Sequence, residues 1–87
     1  MVKNGLYIDE FGNKFWWENN KRNRLNGPAM EWSDGEKQWI QNDYWHREDG
    51  PAIKYFDGGE EWFYEGKRIN CFSQEEFERL IKLRLLW

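Results

Sequence analysis

"RLNGPAMEWSDGEKQW" (Arg24–Trp39) returns as "REDGPAIKYFDGGEEW" (Arg47–Trp62), and the offset of 47 − 24 = 23 residues organises the chain. At that offset Gly27-Pro28-Ala29 falls on Gly50-Pro51-Ala52. Trp32 falls on Tyr55, Asp34-Gly35 on Asp57-Gly58, and Trp39 on Trp62. The same shift toward the N-terminus sets Gly12 under Gly35, Lys14 under Lys37 and Trp16 under Trp39. About three units result. The first lacks Gly-Pro-Ala and the third ends near Asn70. A fixed period of this length marks units that bury their apolar surface against their neighbours.

Each unit has a physical reading. After Gly-Pro, "AMEW" and "AIKY" alternate apolar and polar residues, the period of a half-buried strand. Asp-Gly supplies a reverse turn, because glycine adopts positive φ without a steric cost. A second strand carries the tryptophan, in "EKQWIQ" and "EEWFYE". Another turn is expected at Asn19-Asn20, Asn42-Asp43 and Glu65-Gly66, after which "KRNR", "YWHR" or "KRIN" leads onward. Pro28 and Pro51 cannot donate to a ladder and belong at strand starts. The expectation is a mostly β, α+β fold: an antiparallel meander of about six short strands built from 23-residue hairpin repeats over residues 6–70.

The C-terminal segment differs. "CFSQEEFERLIKLRLLW" opens a helix at Ser73, with Glu76 completing a capping-box pattern. Phe77, Leu80, Ile81, Arg84 and Leu85 share one stripe, so a helix over residues 73–87 should cover one face or end of the strands.

Eighty-seven residues read as one domain with a small core. Aromatic residues are 20% of the chain, including seven Trp, and this argues for order despite a charged content of 33%. The formal charge of −3 offers no global attraction for a phosphate backbone. Cys71 is the single cysteine, so no internal disulfide forms. A buried, structural thiol is the expectation for it. The chain is read as cytoplasmic, with no signal peptide and no membrane association.

The unit of about 23 residues, with an aromatic before Asp-Gly and a Trp after it, resembles a MORN-type repeat over Leu6–Asn70. The variant "HREDGPA…DG…W…EGK" at His46–Lys67 is similar to repeats in small proteins of tailed bacteriophages and bacteria, as is the closing "NCFSQEEFERLIKLR". The resemblance implies an elongated array of antiparallel hairpins serving interaction or oligomerisation. The chain departs from the MORN pattern where Arg-Glu-Asp-Gly-Pro-Ala replaces its second glycine motif.

Catalysis finds little footing. His46 is the one histidine, it aligns with Asn23 and Ile69, and it is expected to be a polar residue beside a turn. One Cys and one His do not make a metal site, and no glycine-rich loop precedes a helix to cradle phosphate. No cofactor is expected. The short cluster Lys21-Arg22-Arg24 falls short of the basic groove that nucleic acid needs, so nucleic acid is not expected as a partner.

Arg24 and Arg47 precede each Gly-Pro-Ala. They either brace a turn, through a backbone bond or the Asp of Asp-Gly, or grip an anion at the sheet edge. Trp16, Trp39 and Trp62 should form a column on one face, with Trp32 and Tyr55 a further equivalent pair. These seven residues are the candidate binding set. The expected function is a non-catalytic binding protein that blocks or sequesters a host protein, by resemblance a phage product acting inside a bacterium. The alternatives are an oligomerisation module, or a sponge for a nucleotide-like small molecule with a ring-lined pocket between copies.

Overall fold

A computed structural model describes residues 2–85, with side chains through residue 84. Its strands are β1 (Gly5–Ile8), β2 (Lys14–Glu18), β3 (Lys21–Arg22), β4 (Met30–Glu31), β5 (Lys37–Gln38), β6 (Ile40–Gln41), β7 (Tyr44–Trp45), β8 (Ile53–Lys54), β9 (Glu60–Tyr64) and β10 (Lys67–Ile69). One helix, α1 (Gln74–Leu85), follows. The chain is thus mostly antiparallel β-sheet with a C-terminal helix. The main sheet runs β1-β2-β4-β5-β8-β9-β10, with β3 paired to β2 and with β6 and β7 paired separately.

The turns explain the order. Gly12, Gly35 and Gly58 take φ of 85°, 102° and 95°, and each donates its N–H three residues back, to Asp9, Trp32 and Tyr55. The two-residue turns lie where expected. Asn19-Asn20, Asn42-Asp43 and Glu65-Gly66 all have positive φ, the geometry that matches the twist of a hairpin. Ten strand segments replace the six expected. The segments after these turns, read as connections, instead fold back as β3, β7 and β10 onto the strands before them.

The core is divided. Trp62, Ile69, Phe77 and Ile81 form the cluster under α1. Ala29, Met30 and Ile40 form a second, with Phe15 and Trp32 against it, and Ala52, Ile53 and Phe63 form a third. Trp62 and its neighbour Phe63 therefore serve opposite sides of β9, as strand alternation requires. Ser73 caps α1: its Oγ accepts the Glu76 N–H at 3.2 Å and its carbonyl accepts the Phe77 N–H at 3.0 Å. Glu75 and Glu76 sit in the first turn and Lys82 and Arg84 in the last, each suiting the helix dipole. The Leu85 side chain and residues 86–87, part of the expected helix stripe and span, lie outside the described residues. Among the described residues no helix is long and apolar enough to cross a membrane.

Candidate functional site

The recurring Arg and Trp meet across successive units. The Arg24 guanidinium lies 4.0 Å from the centre of the Trp16 ring, and that of Arg47 lies 3.8 Å from Trp39. Each arginine also donates from Nη1 to a prolyl carbonyl, Pro28 or Pro51, at 3.1 Å. The backbone repeats with them: Trp16 and Trp39 donate their N–H groups to the carbonyls of Ala29 and Ala52 at 2.8 and 2.7 Å.

The stack explains the conserved spacing within the chain. A Cβ at Gly27 would lie 2.9 Å from Arg24 Cζ, and one at Gly50 would lie 2.5 Å from Arg47 Cζ. Neither glycine has positive φ. Both are glycine because a guanidinium lies flat against the backbone there, between Gly-Pro and an indole ring. Of the braces expected for the arginines a backbone bond forms, and the ion pairs go to acids other than the Asp of Asp-Gly: Arg24 pairs with Glu31 at 3.7 Å and Arg47 with Asp49 at 3.0 Å. Both acids lie nearer along the chain to the Gly-Pro step than Asp34 or Asp57 do.

The third ring of the set sits differently. Position 47 + 23 = 70 is Asn70, and among the described residues no arginine stacks on Trp62. Trp62 is buried under Phe77 and Ile81, and its Nε1–H donates to Gln74 Oε1 at 2.9 Å. Trp32 packs edge-on to Phe15 with centroids 5.6 Å apart, and its Nε1–H is buried without a hydrogen-bond partner among the described residues. Tyr55 is exposed and donates its hydroxyl to Glu61 at 2.7 Å. That hydrogen bond to a carboxylate raises the phenol above its ordinary range. The seven candidate residues are therefore not one patch. Trp39, Arg24 and Arg47 line one cleft and Trp16 stacks on Arg24, while Trp32, Tyr55 and Trp62 stand apart from them.

What they enclose is an open cleft of about 680 Å³ between the 24–27 and 46–49 loops. Trp39 lies half-buried in it, and Leu25, His46, Glu48 and Asp49 line it with the two arginines. Its charge is balanced, two guanidiniums against two carboxylates. Leu25, 74% exposed at this rim, was not among the expected site residues. It has no apolar counterpart one unit on, where Glu48 stands, so the repeat carried no signal for it.

His46 has a structural task. Its Nδ1 accepts the Glu65 N–H at 2.9 Å, as Asn23 Oδ1 accepts the Asn42 N–H at 2.9 Å one unit earlier. An accepting Nδ1 leaves the proton on Nε2, which lies 3.9 Å from Glu48. Cys71 is half-buried against the helix cluster, and desolvation pushes its thiol up, away from thiolate chemistry. Among the described residues no three His, Cys, Asp or Glu side chains cluster as metal ligands would.

No protein-family model, no curated protein and no solved structure matches the chain.

Proposed function

We propose that this chain is a non-catalytic binding protein that holds a side chain or short segment of a protein partner in the Trp39 cleft. The observation that carries the reading is the cleft itself: the half-buried Trp39 indole in its lining, the exposed Leu25 beside it, and mixed charge around both. Apolar anchors ringed by polar groups are how protein interfaces concentrate their energy. A balanced rim suits a protein epitope better than a polyanion.

The recurrence of turns, Arg–Trp stacks and backbone bonds at 23 residues supports reading residues 6–70 as three MORN-like hairpin repeats. The resemblance of His46–Lys67 and of the C-terminal segment to phage and bacterial proteins supports a host factor in the bacterial cytoplasm as the partner. Binding would block or sequester it.

The test is capture from bacterial lysate by immobilised wild type, Leu25→Asp and Trp39→Ala, followed by reconstitution with the purified captured protein. Leu25→Asp should lose the partner while keeping the wild-type melting temperature. A partner bound equally by wild type and Leu25→Asp overturns the cleft as the site. A second reading rests on volume: about 680 Å³ lies within the range of small-molecule sites. A purified chain whose Trp fluorescence and melting temperature respond to nucleotides, with no protein captured, would favour a small-molecule sponge.

A further inference from the structure

We propose that Asn26 is a modification site: it loses its side-chain amide to attack by the Gly27 backbone nitrogen, and the aspartate that results pairs with Arg24.

The chain has two Asn-Gly steps, Asn4-Gly5 and Asn26-Gly27. Glycine carries no side chain to shield its nitrogen from the asparagine before it, and the reaction needs that nitrogen open. The fold treats the two steps differently. Asn4 is held: its Oδ1 accepts the Asn19 N–H at 2.9 Å, and Gly5 lies in the β1–β2 ladder opposite Trp17. Asn26 is exposed in a loop outside every strand. Among the described residues no hydrogen bond engages its side chain or the Gly27 N–H. The Arg24 guanidinium holds position 27 to glycine, since a Cβ there would stand 2.9 Å from Arg24 Cζ. The same contact thus keeps the nitrogen beside Asn26 unshielded.

The reaction balances with water alone. The Gly27 nitrogen gives up its proton and bonds to Asn26 Cγ. The Cγ–Nδ2 bond breaks, and ammonia leaves with that proton. The cyclic imide then takes up one water. Cleavage of its bond from the Gly27 nitrogen to Cγ gives aspartate on the normal backbone. Cleavage of its bond from that nitrogen to the main-chain carbonyl gives the β-linked isomer.

The repeat shows what the aspartate does. Position 26 + 23 = 49 is Asp49, which accepts from Nε of Arg47, two residues before it, at 3.0 Å. Arg24 stands the same two residues before Asn26, and its Nε makes no hydrogen bond among the described residues. Its ion pair with Glu31 is the longer one, 3.7 Å, and its side chain is 32% exposed against 18% for Arg47. Deamidation gives this loop the charge pattern of the next. Asn26 lines the cleft, so a third carboxylate joins the two that balance its arginines. The inference does not rest on what the cleft binds.

Incubation of the full chain in warm, mildly alkaline buffer, followed by peptide mapping with tandem mass spectrometry, decides the site. Asn26 should convert at least about tenfold faster than Asn4 in the folded chain, because Asn4 reacts only when its turn and ladder open. In urea that gap should close. An Asn26 that converts no faster than Asn4 in the folded chain overturns the site, and a gap that persists in urea overturns its selection by the fold. The pairing has its own test. Asn26→Asp should raise the melting temperature by about 2 °C on the wild-type background and not on an Arg24→Gln background. No rise on the wild-type background, or an equal rise on both, overturns the pairing with Arg24.

Discussion

Trp39 and Trp62 hold the same place in successive units, yet one is covered by a cation and the other by a helix. Over Trp39, the Arg47 guanidinium is clamped by Pro51 and Asp49. Over Trp62 there is no arginine among the described residues, and Phe77 and Ile81 close the ring from water. An indole at this position exposes a broad apolar face. Within the array the next unit supplies a thin, polar-rimmed cover that leaves a cleft. At the C-terminal end α1 supplies a thick apolar one that leaves none over the ring. The same residue is thus a binding candidate in one unit and core in the next, and its neighbour decides which.

The comparison can be broken most forcefully at α1. Phe77 is 1% exposed, and Phe77→Ala should cost about 3–5 kcal/mol, a large share of the stability of so small a domain. Thermal unfolding should shift down by more than about 15 °C. A shift of only a few degrees would mean that Trp62 does not depend on the helix.

Gly50→Ala tests the other cover. The added methyl would stand 2.5 Å from Arg47 Cζ and must lift the guanidinium from Trp39, at about 1–3 kcal/mol by denaturant unfolding. Gly27→Ala should cost less, because its closest approach is 2.9 Å and Arg24 is the more exposed arginine. Equal and negligible costs would show that the clamp contributes nothing.

Gln74→Ala sharpens the helix side. It removes the acceptor for Trp62 Nε1 at 2.9 Å and a donor to the Glu48 carbonyl at 2.7 Å, at about 1 kcal/mol by denaturant unfolding. The smallest effect lies at the turns. The Asp43 carboxyl accepts the Arg22 backbone N–H at 2.7 Å and its Nε–H at 3.2 Å, and the backbone bond foremost holds its pKa down. A folded pKa below the unfolded one adds stability above the unfolded value and loses it as pH falls through the folded value. Acid titration of the melting temperature should therefore show a small drop below the ordinary aspartate range, and Asp43→Asn should diminish it.

Much of the fold was legible because turns are local. Glycine at positions 12, 35 and 58 and polar pairs at 19–20 and 42–43 announce positive φ wherever they occur. The return strands were missed because two-residue pairings such as Lys21–Arg22 carry no alternation to read. The site was half legible. Arg24 and Arg47 were visible as recurrent, and the glycine three residues after each was the signal that a flat group lies on the backbone. His46 was visible as the counterpart of Asn23, whose acceptor role it takes. Leu25 was not visible, since nothing at one offset marks a rim.

The sequence by itself determined the period, the turns, the antiparallel class and the start of the helix, because these depend on φ preferences, capping and alternation within a few residues. The tertiary structure decided which tryptophan is roofed by Arg47 and which is sealed by α1. Those outcomes depend on what lies across the sheet from each residue, and a repeated motif looks the same at every copy until its neighbours are in place.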